Sequence, residues 1–416
     1  MAIIKPFKGI RPKAELADKV AALPYDVMNT AEAREMADGN PYSFLHVSRA
    51  EIDMPEGIDE HSPEVYAKAR ANFYGMIDQG VLFQDDKPCL YVYAQVMNGR
   101  RQVGLVACSS IEDYFNDVIK KHEFTRPEKE QDRIEHMQAL NAHVGPIFLT
   151  YAKNNTVDAV INDVLAGKPV YDFTAVDGIQ HTVWVMNNEQ HINTITSAFE
   201  KEIPFTYIAD GHHRTASAAK VGKKLRDANP NHTGNEEYNF FLSVLFPADQ
   251  LAILDYNRLV KDLNGHIISS LMDAIMEKFE IEELGAVDAE AARPKHIHEF
   301  AMYLQNKWYR LTAKPEIIKD DPIGILDITI LQDNILAPLL GIADPRTDKR
   351  IDFVGGIRGL GELQRRVDNG DNKIAFALYP VSLKQLMDIA DSGNVMPPKS
   401  TWFEPKLRDG LLCHLF

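Results

Sequence analysis

The chain has 416 residues, 60 acidic and 45 basic, and its formal charge of -15 repels a phosphodiester backbone, which argues against broad nucleic-acid binding. The length allows about two or three domains, and the apolar, aromatic and charged fractions are those of a soluble globular protein. Cys89, Cys108 and Cys413 are too widely spaced to suggest a disulfide framework or a zinc cluster, which fits a reducing cytoplasm.

The first residues lack the apolar run of a secretion signal, so the N-terminus is expected to stay on the mature chain. Phe7 to Met28 contains Pro12 and Pro24 and reads as irregular structure or edge strands. Asn29 and Thr30 precede a helix over Ala31 to Ala37, and Pro63 to Gly80 carries a helical pattern with Tyr66, Phe73 and Ile77 on its inner side. Two strands, Cys89 to Val96 and Gln102 to Cys108, flank Asn98-Gly99, a dipeptide suited to a tight hairpin turn. A highly charged block, Asp117 to Glu135, follows. Strands are then expected at Pro146 to Tyr151, Phe173 to Val176, Thr182 to Met186, Ile203 to Asp210 and Asn239 to Phe246, with helices at Val157 to Leu165 and Asn187 to Glu200.

Beyond residue 255, helices are expected at Ile267 to Phe279, Ile325 to Leu340, Leu360 to Val367 and Leu383 to Ala390, and strands at Lys307 to Thr312, Ile351 to Val354 and Ile374 to Tyr379. The greasiest stretch, Ile325 to Ala343, is interrupted by Asp327, Gln332, Asp333, Asn334 and Pro338 and is too polar to span a membrane. Hairpins mixed with helices argue for an α+β fold, with a chemistry-bearing region over residues 1–255 and a second α+β domain over 256–416.

Three stretches could carry chemistry. Asp210-Gly211-His212-His213-Arg214 joins a strand to a helix start, where unpaired backbone N–H groups favour an anion. Asp210 can cap that helix and Gly211 permits the turn, but two histidines and an arginine on a first turn oppose the helix dipole unless something negative binds. In that reading Asp210 holds Mg²⁺, while His212, His213 and Arg214 take phosphoryl oxygens. The second stretch is Lys120 to Lys129. Thr125 and Glu128 have capping-box spacing and Pro127 suits a first turn, which leaves His122 and Glu123 unexplained; Glu123 could be a general base or a metal ligand. The third, Met396 to Gly410, offers Lys399, Ser400, Thr401, Lys406 and Arg408 as donors, either as a lid over an anionic substrate or as a tail packed through Trp402 and Phe403. Gly355-Gly356-Ile357-Arg358-Gly359 could cradle phosphate but does not match the dinucleotide fingerprint. His296 and His298 read as structural.

Asp210 to Arg214 at a strand-to-helix junction resembles the signature of the ParB/sulfiredoxin-like superfamily, which includes free serine kinases. A wider set is similar to an uncharacterised domain-of-unknown-function family numbered ten-fifteen. It comprises Pro24 to Val27, Asn40 to Tyr42, His122-Glu123 with Thr125, Asp210 to Arg214, Phe353 to Gly359 and Pro397 to Lys406. The resemblance implies a ParB/sulfiredoxin-like α/β core with an additional mixed α/β C-terminal domain. It also implies transfer of phosphate to the hydroxyl of L-serine, from pyrophosphate, ADP or ATP, to give O-phosphoserine. Asp210, His212, His213 and Arg214 carry over residue by residue as the phosphate and metal site. Glu123, by position and residue type, stands for the catalytic glutamate, with His213 beside it. His122, Thr125, Arg126 and Arg358 are assigned to the substrate, and Lys399, Ser400, Thr401, Lys406 and Arg408 to the donor.

The expected cofactor is Mg²⁺. The expected partners are serine or a similar hydroxyl metabolite and a phosphate donor, with a homodimer as the assembly to test and neither nucleic acid nor membrane involved. Two other readings stay open. One is a metal-dependent hydrolase using Asp210, His212, His213 and His122 as ligands; the other is a non-catalytic module that senses a nucleotide or phosphorylated metabolite.

Overall fold

The computed structural model describes residues 1–416. The chain forms two compact units, one made of residues 1–251 together with 405–416, the other of residues 252–404. The fold is α+β.

The first unit is built on a nine-stranded mixed sheet. In chain order its strands are β1 (Ile4–Lys5), β2 (Leu90–Met97), β3 (Arg100–Ser110), β4 (Ile119–Lys120), β5 (Ile147–Tyr151), β6 (Tyr171–Thr174), β7 (Gln180–Met186), β8 (Thr206–Asp210) and β9 (Phe240–Pro247). They lie in the order β4-β8-β5-β9-β3-β2-β7-β6, with β1 added to β3. The pairs β8–β4 and β9–β5 are parallel and the other pairings are antiparallel. Asn98 and Gly99 both take positive φ, the geometry that closes the β2–β3 hairpin in two residues.

The main helices of this unit are α1 (Thr30–Ala37), α2 (Pro63–Asp78), α3 (Pro127–Leu140), α4 (Asn155–Leu165), α5 (Glu189–Glu202) and α6 (His212–Ala228). Asn29 begins α1 with a reciprocal capping box: its side chain accepts from the N–H of Glu32, and its own N–H donates to the Glu32 carboxylate. Asn154 and Asn188 cap α4 and α5 in the same way but one-sidedly. The main core packs Leu105, Ile208 and Phe241 of the sheet with Val157, Phe199 and Ala219 of the helices. A second core gathers Phe44, Val65 and Phe73 around α2. Ile77 is only partly buried at its edge.

The expected capping box at Thr125 and Glu128 does not form. Arg126 is the N-cap of α3 and Pro127 its first residue, while the Thr125 hydroxyl donates instead to Glu130, one turn further on. Glu130 also takes the ammonium of Lys220 from α6, which draws the local hydrogen bonding away from Glu128.

The second unit holds a wholly antiparallel six-stranded sheet. Its strands are β10 (Tyr256–Val260), β11 (Phe279–Gly285), β12 (Glu299–Leu304), β13 (Lys307–Ala313), β14 (Ile351–Gly355) and β15 (Ile374–Leu378), in the order β11-β13-β12-β15-β10-β14. Helices α7 (Ile268–Met276), α8 (Leu360–Asp368) and α9 (Leu383–Asp391) accompany it. The helix expected over Ile267 to Phe279 ends early because Phe279 opens β11 and stacks edge-on against Phe300, 5.7 Å away. The one expected over Ile325 to Leu340 is an α-turn, Asp327–Leu331, running into a π-turn at Gln332–Leu336; Pro338, which has no N–H to donate, follows.

Candidate functional site

The junction after β8 is shaped by two local irregularities. Register against β5 shifts between Ile208 and Asp210, so Ala209 is an extra residue and the strand end is turned by a bulge. Gly211 follows at φ 99°, a conformation that disfavours any side chain, and α6 begins at once. A Cβ on Gly211 would lie 3.2 Å from Nε of Arg214, so the glycine also makes room for that side chain to fold back over the turn. Asp210 is therefore not the helix cap expected from sequence. Gly211 occupies the N-cap position without a side-chain bond, and the Asp210 carboxylate is released to other partners.

Those partners are cations. Lys406 Nζ lies 3.1 Å from Asp210 Oδ2, and Arg214 Nη2 lies 4.0 Å from the same oxygen. Burial alone would raise the Asp210 pKa, but Lys406 and Arg214 outweigh it and hold the carboxyl below the usual carboxylate range. Lys406 is itself fixed by two fully buried glutamines of the β2–β3 hairpin: Gln102 donates to Gln95, and Gln95 donates to the Lys406 carbonyl at 2.8 Å.

Arg214 is buried, with Nη1 donating to the Pro146 carbonyl at 2.6 Å, while its Nε has no partner. Burial opposes its charge, yet Asp26, Asp210 and Asp409 together raise its pKa. Asp409 is also buried. Its Oδ1 is unpartnered, and burial pushes its carboxyl up to about 7 despite the pull of Arg214.

The two histidines face the segment 122–126. His212 Nε2 accepts from the His122 N–H at 3.4 Å, and His213 Nε2 accepts from the Arg126 N–H at 3.0 Å. A ring nitrogen that accepts carries no proton, so in a neutral ring the proton sits on Nδ1. On His212 that nitrogen lies 3.6 Å from Glu123 Oε2. Burial keeps the pKa of His212 well below the ordinary value, and that of His213 is lowered for the same first reason. His122 is buried edge-on to His212, ring centroids 4.4 Å apart. Neither of its ring nitrogens has a partner, and burial lowers its pKa to about 4.

From the sequence, His212 and His213 are expected to take phosphoryl oxygens. In the structure the Nε2 atom of each accepts from a backbone N–H and ties the Glu123-bearing segment to the start of α6, so a phosphoryl contact would fall to Nδ1. Nor do Asp210, His122, His212 and His213 form the ligand set of a metallohydrolase: no three His, Cys, Asp or Glu side chains are grouped to hold a metal ion.

Glu123, His122, Asp210, His212, His213, Arg214, Lys406 and the backbone of Arg126 are thus linked within the first unit. Other expected residues have surroundings of their own. Thr125 bonds Glu130. Arg408 is buried, with Nε donating to His181 Nε2 at 3.2 Å on β7 and Nη2 paired with Asp177 in the connection between β6 and β7. Lys399, Ser400, Thr401 and Arg358 belong to the second unit. There the Lys399 ammonium stands 5.6 Å from the Tyr256 ring centroid, the Ser400 hydroxyl donates to the Pro397 carbonyl, and Arg358 ends a short 3₁₀ turn after β14.

Two acids near Arg214 were not singled out from sequence as site residues. Asp26 lies in the stretch that reads as irregular structure or edge strands. Asp409 lies beside Arg408 with no pattern of its own.

No curated protein matches the chain in sequence. Among solved structures, a free serine kinase in complex with AMP aligns at 13% identity and a TM-score of 0.34, over 71% of this chain and 88% of that one. A conserved hypothetical protein from Pyrococcus furiosus aligns at 15% identity and 0.34, over 70% and 90%. SbnI with a C-terminal truncation, from Staphylococcus aureus, aligns at 10% identity and 0.38, over 73% and 85%. A family model described as "Protein of unknown function (DUF1015)" matches residues 4–329, and the chain belongs to that family.

Proposed function

We propose that the chain is a phosphotransferase with a small alcohol as acceptor, free L-serine in the first instance, and pyrophosphate, ADP or ATP as donor. The observation that supports the reading is that a half-exposed carboxylate, Glu123, lies 3.6 Å from His212 on the first turn of α6, two residues after the Asp210 that Arg214 and Lys406 flank. Phosphoryl transfer asks a protein mainly for positioning and for charge around the moving group, and those residues supply both. The choice of serine comes from the motif resemblance and not from the geometry.

In the reaction the serine oxygen forms a bond to the donor's terminal phosphorus as the bond from that phosphorus to the leaving phosphate oxygen breaks. Glu123 accepts the hydroxyl proton, and His212 Nδ1 steadies the carboxylate. Lys406 and Arg214 stabilise the charge that spreads over the phosphoryl oxygens. Asp210 would hold Mg²⁺, which when bound would supply positive charge to offset that of the donor phosphates.

The test is direct. The protein is incubated with serine, Mg²⁺ and each donor in turn and followed by phosphorus NMR. O-Phosphoserine from at least one donor is expected, and its absence with all of them sinks the proposal.

A further inference from the structure

Asp26 faces Arg214 alongside Asp210. It lies in the single 3₁₀ turn Tyr25–Val27, after Pro24. That turn is anchored: the Arg133 guanidinium sits 3.8 Å from the Tyr25 ring centroid and is itself paired with Asp132 at 2.7 Å. The Asp26 side chain nevertheless stays 32% exposed, and that of Asp210 29%. Asp26 Oδ2 and Asp210 Oδ2 each stand 4.0 Å from the same nitrogen, Arg214 Nη2. The two oxygens are therefore no more than twice that distance apart, and neither is close enough to Arg214 for a hydrogen bond. Lys406 pairs with Asp210. Arg214, only 5% exposed, keeps an unpartnered Nε, and the buried Asp409 keeps an unpartnered Oδ1. Two part-exposed carboxylates flank one arginine without a hydrogen bond to it, and a buried donor lacks an acceptor. A cation accompanied by an oxyanion satisfies both conditions.

We infer that Asp26 is a further residue of this site and that, with Asp210, it holds a divalent cation of the magnesium class carried on the donor's phosphates. The inference rests on the phosphotransferase reading and names its second carboxylate. Two carboxylates without a third protein ligand is the donor set such an ion accepts when phosphate and water complete its octahedron. It also leaves Arg214 a phosphate oxygen in place of the hydrogen bonds it lacks.

The probe is Mn²⁺, titrated into the full chain alone and with pyrophosphate, with protein-bound manganese read by electron paramagnetic resonance. The wild type should bind, and Asp26→Asn should weaken binding about tenfold or more, the scale on which partners of a metal site act, with an unchanged melting temperature. Should that variant unfold, Asp26→Ser repeats the measurement with a smaller side chain. Equal affinity in wild type and variant, or no binding by the wild type, overturns the inference. Asp26-dependent manganese binding without any phosphoserine leaves this site standing and removes the kinase reading. Serine phosphorylation indifferent to Asp26→Asn removes this site alone.

Discussion

Glu123 is the residue whose surroundings best separate chemistry from stability. Its side chain is 48% exposed and contributes little to the core, so Glu123→Gln should leave the melting temperature within about a degree or two while lowering phosphoserine formation by about 10²–10⁴-fold, the usual loss for a general base. Gly211 behaves in the opposite way. At φ 99° and with Arg214 packed over it, Gly211→Ala should destabilise the fold by about 1–2 kcal/mol in urea titrations and disturb Arg214 as well. Asp327 lets the pH dependence of stability be read away from the site. It is buried with Oδ2 unpartnered, and burial lifts its carboxyl to about 7 although the His298 N–H donates to it. Because the folded chain holds that proton more tightly than the unfolded chain, its contribution is present below about pH 4 and is lost as pH rises toward 7. The slope is at most about 1.4 kcal/mol per pH unit. Asp327→Asn should therefore flatten the stability curve across that window, and an equal slope in both proteins would contradict the assignment. His212, His213 and Arg214 stand out in sequence because cations on a first helical turn oppose the helix dipole, and Asp210 and Gly211 mark the turn before them. Asp26 and Asp409 do not, because acids in turns are common and only the fold brings these two to one arginine.

Among the elements, the bulge at Ala209 and the first turn of α6 decide the geometry. Without the extra residue the strand would present its side chains to the opposite faces of the sheet, and Asp210 would point away from Lys406. His212 and His213 then bind the segment ahead of α3 through two backbone N–H groups. A single such bond is worth about 1 kcal/mol net, so His213→Ala should speed amide exchange at Arg126 about fivefold and leave the centre of β9 unaffected. Periodicity and caps made the hairpin, α1, α4, α5 and α6 legible in the sequence, since each has a turn or cap residue with a local reason to be there. β10, β11 and β12 were not legible. Edge strand β11 carries Glu280, Glu282 and Glu283, which mask its alternation, and it directly follows a helix with no glycine or proline between. The bulge was equally hidden, because it is a property of the pairing with β5 rather than of β8.

At the scale of the whole molecule, the first unit is discontinuous. It is interrupted after Leu251 and completed by Pro405–Phe416, which return Lys406 to Asp210, Arg408 to Asp177 and His181, and His414–Leu415 to a strand pairing with Ala142–His143. Truncation after Glu404 should therefore lower the melting temperature of the first unit by several degrees and abolish activity, whereas residues 252–404, contiguous and with their own sheet, should retain their β-sheet circular dichroism when expressed alone. The order of expected elements sets a boundary at 255/256, and no local pattern announces that the last dozen residues belong to the first unit. That return has a consequence in time. On the ribosome, at about 5–20 residues per second, the first 251 residues wait on the order of ten seconds or more for the segment that completes them. Through that interval Asp177 and His181 lack Arg408 and Asp210 lacks Lys406, so nascent chains are most exposed to chaperones and proteases while the second unit is being synthesised, and the full set of cations about Asp210 is among the last features the polypeptide acquires.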